Sequence, residues 1–164
     1  MSPEVRSGIG YDTHAFLDSG GQLVLGGVEV PGERGLAGHS DADVVAHALA
    51  DALLGAAGLG DIGEHFPDDA ERWADADSIE LLATVAQMVA GRGWRAVNAD
   101  VTVVAERPRI GPLKEAMAGR LATALGIDAD RVNVKATTNE RMGFVGRGEG
   151  IAALAVVTVT DAKR

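Results

Sequence analysis

Residues 8–16 read GIGYDTHAF, and this stretch decides how the chain is organised. Val5 to His14 reads as a first strand, interrupted by Gly8 and Gly10. Alternate side chains of a strand share a face, so Asp12 and His14 point the same way. A carboxylate beside an imidazole is half of a metal site. The other half is expected in the next histidine-rich run, residues 38–55, GHSDADVVAHALADALLG. If His47 joins them, the set is Asp, His, His with room for a fourth ligand. That is the composition of a catalytic zinc site, which keeps one position open. A lone histidine within a helix is more often a packed core residue than a ligand. The adjacent Asp12–His14 pair, which needs a third ligand, argues for the metal. The same trio also suits ferrous iron, and spacing alone does not choose between them. Asp43 and Asp51 each lie one helical turn from His47, so either can orient its second ring nitrogen.

Outward from this core, Leu23 to Val30 reads as a hairpin turning at Gly26-Gly27. Ser40 or Asp41 is expected to cap a helix running to about Ala57, with Ser40 and Asp43 spaced as a capping box. Val45, Leu49, Ala52 and Leu53 form its core stripe. Residues 58–77 are loop-like. Asp77 and Glu80 open a second helix, with Ile79, Leu82, Ala86 and Val89 inward and Gly91 and Gly93 at its end. Val97, Ala99, Val101, Val103 and Ala105 alternate as a half-buried strand. A third helix runs from about Leu113 to Leu125 and closes at Gly126. Val132, Val134 and Ala136 alternate again. TTNERMGFVGRGEG, residues 137–150, is a glycine-rich loop, and Ile151 to Thr160 is a final apolar strand. The expected fold is α+β over a single domain, residues 1–164. It is a mixed β-sheet with helices packed on one face, plus an N-terminal β-hairpin.

The totals are consistent with one domain that has a real core: 164 residues, 46% hydrophobic, only 4% aromatic. Cysteine is absent, which excludes disulfides and thiolate ligands and leaves Asp, Glu and His as the strong metal ligands. A net charge of −9 argues against nucleic acid as the main partner. A phosphorylated substrate would need a local cation, which a bound metal supplies. No apolar run approaches the ~20 residues of a membrane span. Recognisable structure from Val5 leaves no space for a signal or transit peptide, so a cytoplasmic protein is expected.

Three further groups carry chemistry. His39-Ser40 stands where the helix begins, and a helix N-terminus favours anions. Ser40 alone reads as a plain cap, and His39 beside it adds a phosphate or oxyanion contact. Lys135, Thr137, Thr138, Glu140 and Arg147 gather around a strand end and the glycine-rich loop. They can hold phosphate oxygens and a hard metal such as Mg²⁺, or form an ordinary surface loop. Asp61-Ile62-Gly63 with Phe66-Pro67-Asp68 is an acidic turn or a pocket edge, and the strand end Ala105 to Arg109 is surface charge or a rim.

Taken together, DTHAF, LGG, HSDAD–H–ALADALLGA–GLGDIG–FPD, DVTVVAERP, VNVKATT-E and GF-GRGEGIA resemble the 2-C-methyl-D-erythritol 2,4-cyclodiphosphate synthase family. The match runs in order from about Gly8 to Ala153. The resemblance implies conversion of 4-diphosphocytidyl-2-C-methyl-D-erythritol 2-phosphate to the cyclic diphosphate with release of CMP, in the non-mevalonate route to isoprenoids. It implies one Zn²⁺ per subunit on Asp12, His14 and His47. It places Mg²⁺ or Mn²⁺, held with the substrate diphosphate, on Glu140. His39 and Thr138 map onto the pair assisting the transition state. Substrate contacts fall on Asp12, His14, His39, Ser40, Asp61, Ile62, Gly63, Phe66, Pro67, Asp68 and Asp69. The cytidine side falls on Ala105, Arg109, Thr137 and Thr138. The resemblance also implies a homotrimer with active sites between subunits. Phe144 and Arg147 match positions near the trimer axis, where the family can hold an isoprenoid diphosphate. The chain departs from the family pattern at Arg109, Gly111 and Asn139. Two other readings remain at this point: a ferrous oxygenase on the same ligands, and a non-catalytic trimer binding isoprenoid diphosphates.

Overall fold

The computed structural model describes residues 2–161. In chain order the elements are β1 (Val5–Ala15), β2 (Leu23–Leu25), β3 (Val28–Val30), α1 (Val44–Ala57), α2 (Ile62–His65), α3 (Ser78–Gly91), β4 (Trp94–Val104), α4 (Lys114–Leu125), β5 (Val132–Thr137), α5 (Gly143–Gly146) and β6 (Gly150–Asp161). One four-stranded sheet has the order β1-β6-β4-β5, and β2 and β3 form a separate hairpin. β6 runs antiparallel to both β1 and β4, while β4 and β5 are parallel. This is the mixed sheet of an α+β domain, with its long helices packed against the sheet on one side.

Alternation sets which side of the sheet is filled. On β6, Ile151, Ala153, Ala155, Val157 and Val159 are buried beneath the helices, alongside Ala99, Val101 and Val103 of β4. The other side keeps large apolar groups in the open, with Ile9 70% and Tyr11 53% exposed beside Leu154 and Val156.

Gly8 and Gly10 do not interrupt β1, which is continuous from Val5 to Ala15. They face α1, where a Cβ at either position would meet the backbone carbonyl oxygen of Ala52 or Ala48. The helix therefore lies closer to the strand than any side chain permits, and this brings His47 over Asp12 and His14.

The start of α1 corrects the expected cap. Asp43, not Ser40 or Asp41, is the N-cap, and its side chain accepts from the N–H groups of Val45 and Ala46. The same carboxylate accepts from Gly26 N at 2.8 Å and Gly27 N at 2.7 Å. One buried group thus caps the helix and ties down the hairpin turn. Burial pushes its pKa up to about 6, against the pull of those N–H donors. The cap of α3 is Asp77, as expected, and Gly126 closes α4 at φ 70°. In β4 the register shifts between Ala96 and Asn98, so Val97 sits in a bulge and the buried positions become Trp94, Ala96, Ala99, Val101 and Val103. The loop-like residues 58–77 contain α2 and a 3-10 turn at Glu71–Trp73, and the glycine-rich loop contains α5. Ala136 is exposed, because β5 is an edge strand whose last turn of alternation runs past the helices.

Candidate metal centre

Asp12 and His14 leave β1 on the side covered by α1, and His47 comes down from the first turn and a half of that helix. One ligand atom from each lies within 4.8 Å of the others. Asp12 Oδ2 is 2.9 Å from His14 Nε2 and 3.2 Å from His47 Nδ1. The two ring nitrogens are 3.3 Å apart. Three lone-pair donors converging on one point, one anionic and two imidazole, fit a divalent ion with an open fourth position. His14 is held from behind, its Nδ1 donating to the Ala37 carbonyl at 2.7 Å. Such a bond fixes Nε2 as the ligating nitrogen.

The electrostatics suit a cation. Burial alone would raise Asp12, but the hydrogen bond from His14 and the charge of the two facing imidazoles outweigh it and hold the carboxyl at about 2. Burial would likewise lower His14, yet the Asp12 carboxylate outweighs it and lifts the imidazole above its ordinary value.

His47 is not oriented by Asp43 or Asp51. Asp43 is committed to the hairpin turn and the helix cap, and Asp51 accepts from Ile62 N at 2.7 Å, fixing the start of α2. The second nitrogen of His47 instead lies 2.8 Å from Ser78 Oγ and 3.1 Å from Ser40 Oγ. Ser78 sits 31 residues from His47 at the start of α3, beyond any local sequence spacing.

A cleft of about 210 Å³ opens beside the trio, and His39, Ser40, Ile62, Gly63, Phe66 and Asp68 line it. Asp61 caps α2 through Glu64 N. Pro67 and Asp69 belong to the turn just outside the lining. His39 Nε2 meets the Ala70 carbonyl at 3.2 Å. Trp73 and Leu81 complete the apolar wall and were not singled out by sequence. Trp73 stacks edge-on against Phe66 with ring centroids 4.7 Å apart. A lone tryptophan in an otherwise acidic loop was the only available signal.

The remaining candidates lie elsewhere. Ala105, Arg109, Thr137, Thr138 and Glu140 gather where β4 and β5 end, at the opposite edge of the sheet from β1. Three strand spacings separate the two edges, roughly 14 Å. Thr137 also points away from the helix-covered side, which Val132 and Val134 occupy. Glu106, another residue the sequence reading passed over, organises this region by accepting from Asn139 N at 3.0 Å and Arg141 N at 3.1 Å. Thr138 Oγ1 accepts from Glu140 N at 3.2 Å, and Glu140 and Arg141 adopt φ of 51° and 62°. Lys135 is paired with Asp100 at 2.6 Å, which holds that carboxyl below its ordinary range. Phe144 and Arg147 share α5 and its end, and Arg147 makes a two-pronged contact with Glu149.

An acidic α+β domain with an Asp-His-His cluster able to hold a metal, beside a half-apolar cleft, has the make-up of an enzyme site for a small molecule. Residues 5–160 match the model of the YgbB family. The chain is 62% identical over 153 residues to the 2-C-methyl-D-erythritol 2,4-cyclodiphosphate synthase of Rubrobacter xylanophilus, covering 92% of each. It is 60% identical to the synthase of the same name from Symbiobacterium thermophilum, covering 93% of this chain and 96% of that one. Among solved structures, the bifunctional IspDF of Campylobacter jejuni superposes with a TM-score of 0.93 at 44% identity, covering 99% of this chain and 44% of that longer one. A CDP complex of Plasmodium falciparum IspF superposes with a TM-score of 0.83 at 29% identity, covering 98% and 99%. The chain belongs to the YgbB family of 2-C-methyl-D-erythritol 2,4-cyclodiphosphate synthases. Among the described residues, no helix is long and apolar enough to cross a membrane.

Proposed function

We propose that the protein closes 4-diphosphocytidyl-2-C-methyl-D-erythritol 2-phosphate to 2-C-methyl-D-erythritol 2,4-cyclodiphosphate and releases CMP, in the cytoplasm, on the non-mevalonate route to isoprenoids. The observation that carries the reading is the convergence of Asp12, His14 and His47 beside the cleft, in a chain of this family.

The chemistry asks for charge control more than for proton transfer. An oxygen of the 2-phosphate attacks the β-phosphorus. A new P–O bond forms, the bond to the CMP oxygen breaks, and CMP departs as a stabilised anion. Attacking and leaving groups are already ionised at neutral pH, so no strong general base is required. The barrier lies in bringing one anion onto another's phosphorus, held in line. Asp12, His14 and His47 would hold Zn²⁺, which when bound supplies Lewis-acid charge to the phosphate oxygens. His39 and Thr138 contact the reacting phosphates. Glu140 would hold Mg²⁺ or Mn²⁺, which when bound supplies further positive charge to the diphosphate. Among the described residues, Asp12, His14 and His47 form the only cluster of three ligating side chains, so Glu140 needs the substrate to complete such a site. Ile62, Gly63, Phe66 and Asp68, with Asp61, Pro67 and Asp69 at the turn, receive the methylerythritol, whose carbon skeleton suits the Phe66–Trp73 wall. Ala105, Arg109, Thr137 and Thr138 receive cytidine.

Within one chain these two groups stand at opposite edges of the sheet, and none of the cytidine-side residues lines the cleft beside the metal cluster. A homotrimer with sites between subunits resolves this, and the exposed apolar side of the sheet around Ile9, Tyr11, Leu154 and Val156 supports such an assembly. Phe144 and Arg147 are the groups expected to meet an isoprenoid diphosphate near the trimer axis. The reaction is tested by ³¹P NMR of the substrate with metal-replete and chelator-stripped protein. Metal-dependent CMP and a cyclic diphosphate signal are expected. Absence of CMP from folded, zinc-loaded protein would overturn the reading.

A further inference from the structure

We infer, resting on the metal-centre reading above, that Asp41 and Ser78 form a positioning relay that keeps the proton of His47 on Nε2 and so presents the Nδ1 lone pair to the metal. His47 has two chemically distinct sides. Nδ1 faces Asp12 Oδ2 at 3.2 Å and His14 Nε2 at 3.3 Å, the point where the ligands converge. Nε2 faces away, 2.8 Å from Ser78 Oγ.

The direction of that second bond follows from proton counting. A serine hydroxyl has one hydrogen. Ser78 donates it to the carboxylate Oδ1 of Asp41, in a short contact, and an ionised carboxylate only accepts. Ser78 Oγ can then only accept from His47, so Nε2 carries the hydrogen. Asp41 is anchored for this task, because its Oδ2 accepts from Ser78 N at 3.0 Å and its Oδ1 from Asp43 N at 3.1 Å. Ser78 is 1% exposed, and Asp77 already caps α3, so the hydroxyl has no capping duty. Ser40 Oγ is a weaker second neighbour of Nε2 at 3.1 Å, and its hydrogen is not claimed by a carboxylate, so it accommodates either tautomer. The relay joins three separate segments, the loop before α1, α1 itself and the first turn of α3. Its negative end also makes Nδ1 the better electron donor, as carboxylates behind metal-bound imidazoles do.

Two readouts test this without substrate. The His47 ring nitrogens are followed by ¹⁵N NMR in metal-free and zinc-loaded protein, and zinc affinity is measured by chelator competition. Wild-type protein is expected to be Nε2-protonated in both states. Ser78→Ala should weaken zinc binding roughly 10- to 100-fold and let the metal-free ring move its proton to Nδ1, against Asp12. Ser78→Thr, which keeps the hydroxyl, should recover the tautomer. Asp41→Asn should shift both readouts in the same direction by less. Wild-type affinity together with an unchanged Nε2 tautomer in Ser78→Ala overturns the relay. If that variant does not fold, the same result in Asp41→Asn does so. A wild-type protein with the relay tautomer and tight zinc but no CMP release keeps the relay and removes the cyclisation.

Discussion

The metal cluster and the glycine-rich loop are built in opposite ways. Asp12, His14 and His47 are half-buried on two long elements whose contact is closed by Gly8 and Gly10, and their rings are held from behind by Ala37, Ser78 and Ser40. Thr137, Thr138 and Glu140 stand in the open at a sheet edge, in a turn held mainly through backbone N–H groups to Glu106 and Thr138. A metal is bound best by donors that have already converged, because the ordering of three side chains then costs nothing at binding. On the proposed reading a substrate diphosphate brings its own oxygens and counter-ion, so the surface that receives it can remain unfinished until substrate arrives.

That contrast can be broken from either side. The largest effect is expected for His47→Ala, which should lose zinc and all but about one part in 10³ of turnover while keeping the folded assembly. Metal analysis and CMP release check it, and full activity in a variant verified to lack zinc would contradict it. Gly10→Ala attacks the same region through packing. A Cβ there meets the Ala48 carbonyl oxygen, so a stability loss of about 3 kcal/mol is expected in urea titration, with zinc affinity falling as α1 is pushed outward. Glu140→Gln should do neither. It should raise the Mg²⁺ concentration for half-maximal rate by about tenfold with zinc content unchanged, and loss of zinc instead would show that the two metals are wrongly divided.

The smallest effect is a pH dependence. His14 is lifted above its ordinary 6.5 by Asp12, while Asp12 is held at about 2, so His14 exchanges a proton for the metal in the neutral range and Asp12 does not. Above the raised His14 value the ligand is already neutral and affinity is flat. Below it a proton must be expelled, and zinc affinity should fall about tenfold per pH unit. Calorimetry in buffers of different ionisation heat reads that released proton directly, and a flat profile between pH 5 and 7 (roughly the histidine range) would contradict the assignment.

The same contrast explains what the sequence disclosed. Asp12 and His14 two apart on a strand, the alternation from Ala99 to Val103, the Asp77 cap and the Gly126 close are all local patterns, and each appears where expected. Long-range pairings leave no such mark. Asp43 looked like part of a capping box until its carboxylate met Gly26 and Gly27, 17 and 16 residues away. Ser78, which no local pattern singled out, stands behind His47. The glycines of β1 looked like breaks because close approach of a helix is invisible in one dimension. The bulge at Val97 shifted a buried register that strict alternation would have carried through. Lys135, expected among phosphate ligands, is engaged by Asp100 on the neighbouring strand.

The central claim is that one cyclising site joins the metal cluster of one chain to the loop of another. Mixing His47→Ala protein with Thr138→Ala protein, each inactive, and letting subunits exchange tests it most directly. A shared site predicts that CMP release returns to about one quarter of the wild-type rate, the fraction of random neighbours that pair an intact cluster with an intact loop. No recovery from folded, fully exchanged oligomers would mean that both halves act within a single chain, and the account would fail.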